Sequence, residues 1–290
     1  MNFKELLGKH PDVTQDRYAL SFSRAARPAD IAAAYTEFGV VRLREALQPE
    51  LLAAKGEVLR RSLATRGTMT ADSGQAAYSG SWSPPWLLRE GDRYPAAAVI
   101  AAVIRSWVWD VVENLCGSTH VVLLLKWCTV RHAIDKPLGV GGHQDAKVVA
   151  EDVPFSLWIP FNRIIPGQIS GLGFFVPAPD GLLPTQQHQD FGADYLLGDA
   201  SKLWIPGYDL GDLTIHSRFS PHFTTGYGTE TERISLEIRA MSRRTAPSKY
   251  LDPSATVSRR QGIPTIVDVQ PTDDVDVSAF LSSSDLARAA

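Results

Sequence analysis

Near His120 the sequence changes its rhythm, and that change limits the folds open to it more than any other property. Before it, the patterns are helical. Residues 28–39 open on Pro28 and stop at Gly39, the positions a helix gives to proline and glycine. Residues 40–43 read as a short strand, and residues 49–62 have the apolar spacing of an amphipathic helix. Residues 95–116 predict one buried helix with its proline in the first turn. After His120, residues 121–130 are β-branched and leucine-rich, and short strand-like runs follow at 153–161, 173–176, 212–216 and 234–241. Pro137, Gly141-Gly142, Pro166-Gly167, Pro177 and Pro206-Gly207 punctuate them. Helices first and many short strands afterwards predict an α+β chain whose strands close into a sandwich or barrel.

At 290 residues the chain can bury one sizeable core, so residues 1–245 read as one domain and 246–290, rich in Ser, Pro and Asp, as an extension. That extension is either wrapped on the core or partly mobile. Hydrophobic residues make up 44% and charged residues 21%, the proportions of an ordinary soluble protein. A net charge of −3 leaves no basic footprint for nucleic acid or an anionic membrane, so a small molecule is the expected partner. The two cysteines, Cys116 and Cys128, lie in apolar surroundings, as free thiols in a reducing compartment do. The first ten residues lack the apolar stretch of a signal peptide, and the longest apolar runs, 96–104 and 121–125, are too short to cross a bilayer. A cytoplasmic location is expected.

The chemistry centres on Gly141-Gly142-His143-Gln144-Asp145. In extended backbone, residues i and i+2 share a face, so His143 and Asp145 can offer an imidazole nitrogen and a carboxylate oxygen to one point. One more histidine would complete a 2-His-1-carboxylate facial triad, which leaves positions open on a non-haem iron. The pattern is short, and His188-Gln189-Asp190 repeats it in a Pro/Gln-rich stretch with no strand before it, which reads as a loop coincidence. His216 and His222 are both candidates for the third ligand. Beyond them, residues 233–239 read as a strand that opens on Arg233, and an arginine's planar fork suits a carboxylate. No Gly-x-Ser-x-Gly elbow and no Gly-x-Gly-x-x-Gly turn is present, which disfavours an α/β-hydrolase and a dinucleotide-binding oxidoreductase.

Taken together, these residues resemble the phytanoyl-CoA dioxygenase-like branch of the iron(II)/2-oxoglutarate oxygenases. The likeness begins at Tyr35-Thr-Glu-Phe-Gly-Val-Val-Arg-Leu-Arg-Glu-Ala-Leu-Gln-Pro-Glu-Leu and continues through His143-Gln144-Asp145 and Phe155-Ser-Leu-Trp158-Ile-Pro-Phe. It ends with Gly211-Asp212-Leu213, Pro221-His222-Phe223-Thr224 and Arg233, covering about residues 30–241 except the long loops near 66–94 and 178–207. The resemblance implies a double-stranded β-helix (jelly-roll) core with flanking N-terminal helices, and Fe(II), 2-oxoglutarate and O2 as cofactor and co-substrates. It favours His222 over His216, because the family's co-substrate arginine follows the distal histidine by eleven residues, as Arg233 follows His222. It also implies that Thr224 assists Arg233, that Trp158 packs nearby, and that Lys126 is a candidate partner for the other carboxylate of 2-oxoglutarate. Asp145 points to hydroxylation, since related halogenases carry Gly or Ala there; desaturation, epimerisation and cyclisation use the same ligands.

The substrate is less legible. Loops 66–94 and 178–207 are expected to form the lid, since long loops on a rigid scaffold tend to carry specificity. Arg131, Lys147, Trp204 and His216 are candidate substrate contacts. Two other readings stand beside the oxygenase: a cupin-type metal enzyme that does not use 2-oxoglutarate, and a jelly-roll binding protein without chemistry.

Overall fold

The computed structural model describes residues 3–65, 80–83, 94–133, 142–146, 155–184, 199–225, 232–248, 251 and 254–270. Its larger sheet runs β1 (Ser21–Phe22), β2 (Val40–Leu43), β9 (Leu213–Ser217), β6 (Phe155–Pro160), β11 (Arg233–Ser242), β4 (Val121–Leu123), β12 (Ser254–Arg260) and β13 (Ile263–Gln270). β5 (Thr129–Ala133) also pairs with β11 and carries β3 (Gly80–Ser83) on its far side. All these pairs are antiparallel except β1 with β2. A small sheet, β10 (His222–Thr224), β7 (Leu172–Phe175) and β8 (Leu203–Trp204), packs on one face of the large one. The strand-rich second half predicted a sandwich or barrel, and the two sheets form the jelly roll that the resemblance implied.

Strict alternation decides which face does what. Along β11, Ile234, Leu236, Ile238 and Ala240 enter the main core, while Arg233, Ser235, Glu237 and Arg239 point the other way. Leu157 and Ile159 of β6 and Leu213 and Ile215 of β9 join that core, leaving Ser156, Trp158, Thr214 and His216 on the opposite face. Helices α2 (Pro28–Phe38), α3 (Pro49–Thr65), α4 (Pro95–Arg105) and α5 (Val108–Cys116) cover the apolar face with Ile31, Leu52, Leu59, Ile100 and Trp109. The polar face, closed over by the small sheet, is left for chemistry.

Three expectations are corrected in detail. Residues 95–116 form two helices bent by 76°, because the Ser106 hydroxyl bonds to the Val103 carbonyl and receives the Val108 N–H. Among the described residues no single helix is long and apolar enough to cross a membrane. Residues 121–130 are not one strand: a 3-10 turn, Leu125–Trp127, separates β4 from β5. Arg239 pins this turn, its backbone carbonyl taking the Leu124 N–H and its guanidinium bonding the Trp127 carbonyl at 3.0 Å. Within 66–94, residues 80–83 are a strand rather than loop, and beyond Thr245 the β12–β13 hairpin extends the large sheet from β4.

Gly39 joins this scaffold to the site. It ends α2 at φ +80°, and its carbonyl receives the Ser217 N–H and the Ser220 hydroxyl. A Cβ there would lie 2.3 Å from the Ala178 Cβ and 2.8 Å from the Ser220 Oγ. Gly39→Ala is therefore expected to lower stability by about 2 kcal/mol or more, through left-handed strain and overlap. Urea unfolding followed by tryptophan fluorescence measures it, and an unchanged midpoint would contradict the junction described.

Candidate metal centre and its cavity

His143 and His222 are tied to each other through the backbone. They form an isolated antiparallel bridge with reciprocal N–H to carbonyl bonds of 2.9 Å each, which brings the ring centroids to 4.3 Å with the planes tilted by 54°. Asp145 follows two residues on, and its Oδ1 lies 3.7 Å from His143 Nε2 and 3.9 Å from His222 Nε2. One ligand atom from each residue falls within 4.8 Å of the others, and among the described residues these three form the group able to hold a metal ion. Gln144 between them turns away and is fully buried. Its amide bonds the Gly181 and Phe219 carbonyls at 2.8 and 2.7 Å and takes the Leu183 N–H at 2.7 Å, which fixes the motif against two loops.

The donor set suits a divalent ion such as iron. The ring Nδ1 of His222 is 3.0 Å from the Ser220 carbonyl, so it carries the proton and leaves Nε2 with its lone pair toward Asp145. Burial, then the neighbouring His216, pushes the His222 imidazole down to about 4. Burial would raise the Asp145 carboxyl, yet Arg239 first, with His216 and His222, holds it well below the usual carboxylate range. At neutral pH His222 is thus a neutral imidazole and Asp145 an ionised carboxylate, and with the His143 ring they form a 2-His-1-carboxylate donor set.

A stability consequence follows with a definite sign. The unfolded chain protonates His222 near its ordinary value while the folded chain resists down to about 4. Its contribution is present above about pH 6.5 and is lost as pH falls through the folded value, up to about 3 kcal/mol. Urea unfolding of chelator-treated protein at pH 7.5, 5.5 and 4 is expected to show this loss, and His222→Gln to flatten it. Equal slopes in both proteins would contradict the assignment.

Beside the triad lies a small cavity whose walls come from both sheets. Arg233 lines it, 1% exposed, with its guanidinium carbon 5.6 Å from the Trp158 ring centroid. Thr224 lines it too, and its hydroxyl accepts a 3.0 Å bond from Arg131. Thr129, Ser235, Glu237 and Leu172 complete this part of the wall. Burial pushes the Glu237 carboxyl up against the opposing pull of Arg239.

Of the residues singled out from sequence, His143, Asp145, His222, Arg233, Thr224, Trp158, Arg131 and His216 come together here. Trp204 does not line this cavity; it is buried in the small sheet against Phe174, 6.1 Å between ring centroids. Lys126 sits in the 3-10 turn rather than inside a strand. Lys147, His188 and Asp190 lie outside the described residues, as do most of the expected lid loop 66–94 and residues 185–198 of the other. Sequence reasoning missed Ser156, Glu237 and Arg239. The alternation of Arg-Ile-Ser-Leu-Glu-Ile-Arg could have found the last two, since residues four and six places along a strand from an inward Arg233 share its face.

No protein-family model matches the sequence, and no curated protein matches it. Solved structures do. The non-heme alpha ketoglutarate dependent epimerase SnoN from nogalamycin biosynthesis superposes with a TM-score of 0.56 at 21% identity, over 81% of this chain and 87% of that one. The non-heme monooxygenase ThoJ in its apo form gives 0.61 at 17%, over 89% and 94%. EctD from S. alaskensis, also solved with 2-oxoglutarate and 5-hydroxyectoine, gives 0.58 at 15% in its apoform, over 87% and 90%. At these identities the likeness establishes the fold, the jelly roll that these oxygenases share.

Proposed function

We propose that the chain is an iron(II)- and 2-oxoglutarate-dependent oxygenase that oxidises, by preference hydroxylates, a C–H bond of a small molecule. The observation that carries this reading is the convergence of His143, Asp145 and His222 beside a cavity lined by Arg131 and Arg233. In this reading His143 Nε2, Asp145 Oδ1 and His222 Nε2 hold the iron. Iron together with 2-oxoglutarate and O2 supplies the oxidant, and succinate and CO2 are formed alongside the product.

The chain's own residues bind, orient and shield. Arg239 is engaged by Asp145 and Glu237, so Arg131 and Arg233 bring two further positive charges to the cavity. A dicarboxylate matches them in charge and in the geometry of the guanidinium fork. Arg233 takes the distal carboxylate beside Thr224, with Trp158 packed under its guanidinium. For the other carboxylate Arg131 has better support than Lys126, because its side chain stands in the cavity wall. Arg131 then serves the co-substrate instead of the substrate. Residues such as Leu172 and Trp158 keep this end dry, which strengthens each ionic contact.

We further place the chain in the phytanoyl-CoA dioxygenase-like branch, on the spacing of His222, Thr224 and Arg233. A cytoplasmic setting accompanies this reading: Cys116 and Cys128 are both free, and burial pushes each thiol up to about 12. The test is oxygen uptake and succinate formation with Fe(II) and 2-oxoglutarate, first with no substrate added. Slow conversion of 2-oxoglutarate to succinate, abolished by omitting iron, is expected. Iron-dependent oxygen uptake with 2-oxoglutarate untouched would favour the cupin-type reading instead.

A further inference from the structure

Asp145 does not lie in a strand of either sheet, so nothing in a strand ladder fixes the rotation of its carboxylate. Its two oxygens nevertheless have separate surroundings. Oδ1 is the oxygen toward His143 and His222, at 3.7 and 3.9 Å. Oδ2 faces three side chains of the large sheet. The Ser156 hydroxyl donates to it at 2.7 Å, Arg239 reaches it at 3.2 Å, and His216 Nε2 stands 3.6 Å away.

Those three residues form one cross-strand row. Ser156 on β6 is paired with His216 on β9 and, on its other side, with Arg239 on β11. Adjacent strands thus deliver three polar side chains to one oxygen, with no dependence on loop conformation. Arg239 is itself held from several sides, by Glu237, by the Trp127 carbonyl at 3.0 Å and by the Ser156 hydroxyl at 3.3 Å. Ser156 therefore accepts from Arg239 and donates to Asp145. Such a chain is directional, and it satisfies the acceptor capacity of Oδ2.

We propose that the row His216–Ser156–Arg239 is a carboxylate clamp that engages Asp145 Oδ2 and presents Oδ1 alone to the metal. The proposal rests on the reading of His143, Asp145 and His222 as the metal ligands. A carboxylate free to rotate can chelate an ion through both oxygens and fill a position that the co-substrate needs. The clamp removes that option by keeping Oδ2 engaged with the sheet. His216 is in this account a positioning residue, which explains why a third buried imidazole stands next to a complete facial triad, 4.6 Å from the His222 ring. It also gives Glu237 a role, since that carboxylate is ion-paired with Arg239 and helps orient it.

Anaerobic titration with Co(II) tests the clamp, because the visible bands of cobalt report the number and kind of its ligands. The proteins are wild type, Ser156→Ala, Ser156→Thr, Arg239→Lys and Asp145→Ala, each checked by thermal melting without metal. Ser156→Ala and Arg239→Lys are expected to bind Co(II) about tenfold or more weakly, with an altered cobalt spectrum and weaker 2-oxoglutarate binding to the loaded protein. Ser156→Thr keeps the hydroxyl and should return the spectrum toward wild type. Wild-type affinity and spectrum in both Ser156→Ala and Arg239→Lys, with Asp145→Ala impaired, would overturn the clamp and leave the metal site standing. If Asp145→Ala also titrates as wild type, the metal reading itself fails. Should Arg239→Lys not fold, the comparison of Ser156→Ala with Ser156→Thr decides: a spectrum equally altered in both counts against the clamp.

Discussion

His222→Ala should leave the fold standing and weaken Fe(II) binding by at least about 100-fold, since it removes one of three donors. The ring is buried between its partners, with Nδ1 on the Ser220 carbonyl and Nε2 toward Asp145. Truncation leaves that carbonyl without its ring donor, a cost to folding of about 1–2 kcal/mol. His216→Ala is the informative contrast. His216 stands on β9, facing the Asp145 oxygen turned away from His143 and His222, so its loss should cost about tenfold through positioning alone. Anaerobic competition against a chromogenic iron chelator measures both variants. Wild-type affinity in His222→Ala alongside lost affinity in His216→Ala would transfer the ligand role to His216.

Arg233→Met is the second large effect, and it should separate co-substrate binding from metal binding. Arg233 is 1% exposed and held over the Trp158 ring, so its guanidinium is placed before any ligand arrives. Losing a bidentate, charge-assisted contact in a dry cavity should weaken 2-oxoglutarate binding by about 100-fold or more. Fe(II) affinity should be unchanged. Arg233→Lys should recover part of the loss, because lysine restores the charge without the fork. Calorimetry of 2-oxoglutarate with Mn(II)-loaded protein under argon reads both. Undiminished 2-oxoglutarate binding in Arg233→Met would leave Arg233 with no co-substrate role and return the cupin-type reading.

Much of this site could be anticipated from sequence because its parts are local. His143 and Asp145 are two residues apart, and His222, Thr224 and Arg233 lie within one short stretch. The helix over Pro28–Phe38, with its Gly39 stop, was legible for the same reason, since proline and glycine act where they stand. What stayed hidden depends on pairing between distant segments. The break of residues 121–130 into two strands reflects a guanidinium from β11 pulling on the Trp127 carbonyl, a contact across 112 positions. Ser156 and Arg239 look like ordinary strand residues until the β6–β11 register sets them side by side against Asp145. The β12–β13 hairpin was masked by a composition of Ser, Thr and Arg that suits a sheet edge as well as a tail.

The most direct test of the central claim is an optical titration of purified protein under argon. Fe(II) is added first and 2-oxoglutarate second, with His222→Ala and Arg233→Met run beside the wild type. The account expects a weak visible charge-transfer band in the wild type once 2-oxoglutarate chelates the iron, absent without His222 and formed only at much higher 2-oxoglutarate without Arg233. No band from a wild-type protein that demonstrably binds Fe(II) would contradict it.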